Sequence, residues 1–225
     1  MTQKRILNLI FLGPPGAGKG TQARMIMDKY SIPQISTGDL MRNEISSGSS
    51  LGERVKSFIE SGKLVPDELT LDIVLNRLSK EDCKNGYLLD GFPRTLGQAE
   101  ALEKALHDRS SEISSVIALE VDDSELTKRL ADRRICKNCG DSYHLQFKRP
   151  LIDGKCDHCG GELYQRRDDS EEVIKNRLKT YHEQTASLKV FYGTRKKLKI
   201  INGKNKIDVI FSEICAIIDE LETQV

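Results

Sequence analysis

The chain has almost no net charge: 35 lysines and arginines stand against 34 aspartates and glutamates, leaving +1 at pH 7. That balance gives no global electrostatic reason to expect nucleic acid or an anionic membrane as partner, although a local basic patch stays open. No apolar run approaches membrane-spanning length. The early run Ile6 to Leu12 is short, is interrupted by Asn8 and is not followed by a small-residue cleavage site. The opening MTQKRILNLIFLG therefore does not read as an export signal. Internal repeats and low-complexity tracts are also missing. With 225 residues, 38% hydrophobic and 31% charged, the chain does have the material for one substantial core and a small inserted subdomain.

Cysteines are few and unevenly placed. Four of the six form two CxxC pairs, Cys136/Cys139 and Cys156/Cys159, separated by 16 residues. Three disulfides would suit a secreted chain, but this pattern without an export signal implies a reducing, cytoplasmic compartment. Each pair presents two thiolates from one tight turn, with Gly140 and Gly160 following. The expectation is a four-thiolate zinc site with a closed shell, hence structural and not catalytic. Iron also fits four thiolates, and His158 could replace one cysteine. Cys83, after a charged helix end, and Cys215, on an apolar helix, read as small packed hydrophobes.

Ile6 to Leu12, closed by Gly13-Pro14-Pro15-Gly16, predicts a buried strand, and helical spacing follows from Thr21 to about Tyr30. Gly86 to Asp90 and Ser115 to Val121 read as strands succeeded by helices. A last strand near Leu198 to Ile201 precedes a helix with Val209, Ile210, Ile214, Ile217, Ile218 and Leu221 on one stripe. The alternation predicts an α/β fold, a parallel sheet flanked by helices on both faces. Two stretches interrupt it and read as insertions: 36–65, with two short polar helical patterns, and 132–169, which holds the cysteine pairs.

Gly13-Pro-Pro-Gly-Ala-Gly18-Lys19 matches GxxxxGK between a strand and a helix, the context that a phosphate loop requires. Glycines let successive N–H groups and a helix N-terminus point at a phosphate chain, and Lys19 adds a charge. The usual Ser or Thr after the lysine is replaced by Gly20, with Thr21 one place later, which puts a direct hydroxyl-to-magnesium contact in doubt. Asp90 closes a strand where a carboxylate would approach the metal, directly or through water; it also reads as a turn former. Arg94, after a Gly-Phe-Pro turn, sits at the carboxyl end of a parallel strand, where such folds bind ligands. Thr37 and Asp39 also read as capping residues, and Arg129 and Arg133, one helical turn apart, as surface ion pairs.

Taken together, GPPGAGKGTQ (13–22), ISTGDL (35–40), GKLVPDEL (62–69), LLDGFPRT (88–95), RRICKNCG (133–140) and YQRRDDSEE (164–172) resemble the nucleoside monophosphate kinases, specifically the adenylate kinase family. The resemblance covers essentially the whole chain. It implies a P-loop core (1–35, 66–131 and 170–225), a mobile AMP-binding domain (36–65) and a zinc-binding lid (132–169). The implied ATP site is Gly16, Ala17, Gly18, Lys19, Gly20, Thr21, Arg129, Arg133, Ser142, Tyr143 and backbone near Gly203 to Asn205. The implied AMP site is Thr37, Arg42, Lys63, Leu64, Val65, Gly91, Phe92, Pro93, Arg94 and Gln98, with Arg166 and Arg177 converging on the transferred phosphoryl. Mg²⁺ would travel with ATP, near Asp90. ATP, AMP and ADP are the implied partners, and a monomer the implied state. A kinase of the same fold preferring UMP, CMP or GMP is the nearest alternative.

The residues support this chemistry independently. Phosphoryl transfer needs positioning and cationic compensation of spreading negative charge, which Lys19, Arg42, Arg94, Arg133, Arg166 and Arg177 supply. A phosphate monoester is largely a dianion at pH 7, so no base is required, and no convincing candidate for one is present. The rival function is a zinc ribbon gripping nucleic acid through Lys137, Lys148, Arg149, Lys155, Arg166 and Arg167 with Tyr143 and Phe147. Against it, Asp141, Asp153, Asp157, Glu162, Asp168 and Asp169 dilute the basic field.

Overall fold

A computed structural model describes residues 6–223. Its first half runs β1 (Leu7–Leu12), α1 (Lys19–Tyr30), β2 (Gln34–Ser36), α2 (Thr37–Ser47), α3 (Ser50–Ser61), α4 (Asp67–Leu78), β3 (Gly86–Asp90), α5 (Leu96–His107) and β4 (Ser115–Glu120). Then follow α6 (Asp123–Ala131), β5 (Arg133–Cys136), β6 (Ser142–His144), β7 (Leu163–Tyr164), α7 (Glu171–Thr180), α8 (Leu188–Thr194), β8 (Leu198–Asn202) and α9 (Ile207–Thr223).

Five strands make a wholly parallel sheet in the order β2-β3-β1-β4-β8. Every residue of β1 is buried, because this central strand has a neighbour on each side and helices on both faces. Its side chains divide with the period of two that a strand imposes. Leu7, Leu9 and Phe11 join Ala23 and Ile26 of α1, Leu126 of α6 and Ile214 of α9. Ile10 and Leu12 join Val74 of α4, Leu102 of α5 and Tyr192 of α8. A Leu88→Ala or Leu89→Ala change on β3, one into each cluster, should cost about 2–5 kcal/mol.

The strand read at Gly86 to Asp90 coincides with β3, and the other ends differ by a residue or two. α1 starts at Lys19, ahead of Thr21, because Gly18 in left-handed geometry is its N-cap and the loop itself supplies the first turn. β2 has no counterpart in the sequence reading. Three residues carry no alternation signal, and only pairing with β3, Gln34 beside Leu88 to Ser36 beside Asp90, makes them a strand. Arg129 and Arg133 do not share a helix: α6 ends at Ala131 with Asp132 as C-cap, and Arg133 opens β5 opposite His144.

Helices α2 and α3 pack on each other around Met41, Val55 and Val65, apart from the main core. Strands β6, β5 and β7 form a separate antiparallel sheet whose buried cluster is only Cys136, Tyr143 and Cys156, with Cys139 and Leu163 against it. Three short strands with so little apolar surface need a further staple. Among the described residues no helix is long and apolar enough to cross a membrane.

Candidate active site

β1 delivers the phosphate loop at the carboxyl end of the sheet. Gly13 has φ 140°, and a Cβ there would lie 2.7 Å from the Leu119 carbonyl oxygen, so only glycine lets the loop pass β4. No side chain caps α1, whose first N–H groups open onto a cavity of about 1040 Å³. Lys19 Nζ donates to the Gly13 and Pro14 carbonyls at 2.7 and 2.9 Å. Burial, helped by Arg94, Arg177 and Arg133 and opposed by Asp90, brings the Lys19 ammonium down to about 8. Asp90 ends β3 with Oδ2 accepting from Gln34 Nε2 at 3.0 Å, and burial pushes its carboxyl up against the pull of Lys19. A Cβ at Gly20 would stand 3.8 Å from Asp90 Oδ2, so position 20, where a hydroxyl is usual, faces this carboxylate.

Beyond Asp90 the chain turns through a cis Phe92-Pro93 bond. Arg94 is pinned there: its Nε donates to Gly91 O at 2.7 Å and its backbone N–H to Gln98 Oε1 at 2.7 Å. Gln98 Nε2 and Thr95 Oγ1 in turn donate to the two oxygens of Asp67, at 2.7 and 2.6 Å. Thr37 donates to Gly91 O at 2.9 Å. The helix cap is Ser36, whose hydroxyl accepts from Asp39 N–H, so neither Thr37 nor Asp39 caps α2.

Three acidic residues organise the remaining arginines. Asp169, with a fully buried side chain, accepts from Arg133 Nε and Nη2 at 2.9 and 2.6 Å and from Arg177 Nη1 at 2.8 Å. Asp168 pairs with Arg177 at 3.2 Å and Arg42 at 3.7 Å. Asp39 pairs with Arg42 and, at 3.0 Å, with Arg166. Burial alone would raise the Asp39 carboxyl, but Arg42 and Arg166 outweigh it and hold it at about 2. Burial and neighbouring like charges bring Arg166 and Arg177 down to about 10. Cations packed this closely favour whatever brings several negative charges among them. In the sequence Asp168 and Asp169 read as diluents of a basic field and as part of the YQRRDDSEE stretch, without this anchoring role; the Arg-Arg-Asp-Asp run is the available signal.

The four paired cysteines meet. Their Sγ atoms all lie within 4.8 Å of one another, with Cys136 to Cys159 at 3.5 Å and Cys139 to Cys156 at 3.6 Å. A tetrahedral shell with Zn–S bonds of about 2.3 Å has edges of about 3.8 Å, so the set suits a four-thiolate metal. Gly140 and Gly160 take φ 73° and 71° just after each pair. His158 is exposed and outside the cluster, which removes it as a substitute ligand. Tyr143 is buried against the thiolates, its hydroxyl 3.5 Å from Cys156 Sγ and accepting from Asp157 N–H at 2.7 Å. Three basic groups of this region pair with carboxylates: Lys137 with Glu162 at 2.8 Å, Lys148 with Asp141 at 3.0 Å and Arg167 with Glu60 at 3.6 Å, whereas Arg149 Nε donates to the Leu145 carbonyl.

One cavity collects most of the expected residues. Gly16 to Thr21, Asp90, Arg129, Arg133, Ser142, Tyr143 and Asn205 border it, as do Arg42, Leu64, Gly91, Pro93, Arg94, Arg166 and Arg177. Thr37, Lys63, Val65, Phe92 and Gln98 do not. Residues 203–207, the loop after β8 and the first residue of α9, form part of the cavity wall. The Gly203 carbonyl accepts from Arg129 Nη1 at 2.9 Å, and Arg129 also pairs with Glu125. The N–H groups of Gly203, Lys204 and Asn205 are bound to Glu120 O, Asn202 Oδ1 and Asn202 O. The carbonyls of Lys204 and Asn205 accept no hydrogen bond among the described residues.

Comparison with known proteins agrees with this geometry. A family model described as "Adenylate kinase" matches residues 11–197. Similar proteins include an adenylate kinase of Clostridium perfringens strain SM101, 49% identical over 212 residues that make up 94% of this chain and 98% of that protein. Adenylate kinases of Thermodesulfovibrio yellowstonii and Archaeoglobus fulgidus are each 48% identical, covering 95% and 96% of this chain and 100% of each relative. Since the match takes in the phosphate loop, the Arg94 turn, the cysteine sheet and the Asp168-Asp169 pair alike, the chain belongs to the adenylate kinase family.

Proposed function

We propose that this protein transfers the γ-phosphoryl group of ATP to AMP, reversibly, giving two ADP. The observation that carries the reading is a single cavity bordered by Lys19, Arg94, Arg133, Arg166 and Arg177, between a phosphate loop and the α2–α3 pair. The loop N–H groups and Lys19 hold the donor's phosphates. Arg42 and Arg94 hold the acceptor's phosphate, which attacks as a dianion without a base. Arg133, Arg166 and Arg177, oriented by Asp39, Asp168 and Asp169, face the charge that spreads over the transferred group. Asp90 would hold Mg²⁺, directly or through water, beside a Gly20 that offers it no hydroxyl, and the ion would supply charge neutralisation to the phosphates.

Adenine as the donor base is supported by the free carbonyls of Lys204 and Asn205, which suit its exocyclic amine and would repel a 6-keto group. AMP as acceptor rests on family membership. Thr37, the 63–65 backbone, Phe92 and Gln98 serve the acceptor side, Gln98 by fixing Arg94. The 36–65 and 132–169 segments close over the nucleotides and exclude water, so that the phosphoryl passes to AMP and not to solvent. Zinc on Cys136, Cys139, Cys156 and Cys159 is structural, replacing the core that the cysteine sheet lacks. Thiolates of this kind need reducing surroundings, in line with the cytoplasm, while a monomer is what the family resemblance implies. The paired basic groups of the cysteine sheet speak against a nucleic-acid grip. Turnover of Mg-ATP with AMP, GMP, CMP and UMP, alongside metal analysis, tests the reading. AMP should be strongly preferred, and comparable rates with pyrimidine monophosphates would overturn it.

A further inference from the structure

Gln22 lies one turn into α1, directly after the phosphate loop, and is only 1% exposed. Its Nε2 donates to the Ile207 carbonyl at 2.9 Å, across 185 positions of sequence. That acceptor fixes the amide orientation, since the reverse would set two oxygens against each other. Oε1 is then buried with no hydrogen-bond partner among the described residues, so a simple packing role would be better filled by an apolar side chain of like size. The distinct product of the amide is the tie itself. It joins the helix that carries Lys19 to the end of the 203–207 loop, while Arg129 holds the same loop at Gly203.

We propose that Gln22 is a positioning residue for the nucleobase end of the donor site. Clamped at Gly203 by Arg129 and at Ile207 by Gln22, the loop keeps the Lys204 and Asn205 carbonyls at a set distance from the phosphate loop. The span from phosphates to base is thereby matched to one nucleotide. The inference rests on the reading that the donor base packs on this loop.

Gln22→Met removes the amide at similar volume, and Gln22→Asn keeps it but is one methylene too short to reach Ile207. A net hydrogen bond of ordinary strength corresponds to about a 3- to 10-fold effect. In both variants KM for ATP should rise by about that factor and the ATP-to-GTP preference in kcat/KM should fall by a similar one. kcat and KM for AMP should stay at parental values. Parental KM for ATP and parental ATP-to-GTP preference in the variants would overturn the proposal, as would a fold lost in both, which would make the bond a structural staple. An equal loss with ATP and GTP, expressed in kcat, would point to the phosphate loop and also refute it. A parent enzyme with no preference for ATP over GTP would instead sink the reading of the donor site.

Discussion

Replacing Asp169 by asparagine perturbs the arginine cluster at its most buried point. Both carboxylate oxygens are in use, Oδ2 by Arg133 Nε and Oδ1 by Arg133 Nη2 and Arg177 Nη1. Asparagine has nearly the same shape, but one oxygen becomes an NH₂ group that must face an arginine donor. Two guanidiniums also lose the charge between them. Charge-assisted bonds contribute about 1.5–3 kcal/mol each, and breaking a buried pair on one side costs about 3–5 kcal/mol. For a chain of this size each kcal/mol moves the melting point by about 2–4 °C, so a drop of about 6–20 °C is expected. Well below the transition, kcat should fall about 100-fold, since Arg133 and Arg177 lose their common anchor. Circular dichroism melting and a coupled assay read the two effects, with exposed Asp153→Asn as control. Melting within about 2 °C of the parent, or parental turnover, would refute the claim that Asp169 organises these arginines.

Cys156→Ser should abolish stoichiometric zinc and lower thermal stability, given the roughly 10 kcal/mol that such sites contribute in small peptides, while transfer survives in the cold. Loss of the chemical step in folded, metal-free protein would rule out a purely structural metal. Lys19→Met bears on pH. With Lys19 at about 8 in the folded chain against 10.5, its destabilising contribution is full below pH 8 and fades as pH rises towards 10.5. The variant should therefore be more stable than the parent at pH 7, with the gap closing towards pH 10, although its kcat drops at least about 100-fold. A pH-independent gap in urea midpoints would contradict the burial argument. Arg94→Lys loses the bond to Gly91 O and the planar fork, so KM for AMP should rise about 10- to 100-fold with KM for ATP unchanged; steady-state kinetics decide it.

The amino-acid sequence by itself determined the features that depend on neighbours along the chain. Short, mostly apolar runs at Leu7–Leu12 and Gly86–Asp90 announce buried parallel strands, GxxxxGK between strand and helix announces a phosphate loop, and two CxxC pairs announce a thiolate site. Only the tertiary structure decided what lies between distant segments. β2 exists because β3 pairs with it. Tyr143 borders the cavity and also sets its hydroxyl beside the cysteine cluster, and Asp39 and Asp169, read as a cap and a diluent, hold Arg166 and Arg133 from across the fold. Gln22 looked like the tail of a motif until Ile207 arrived beside it. Periodicity and spacing report local backbone geometry, whereas the partner of a buried polar group is chosen by whichever segment the packed sheet brings within about 3 Å.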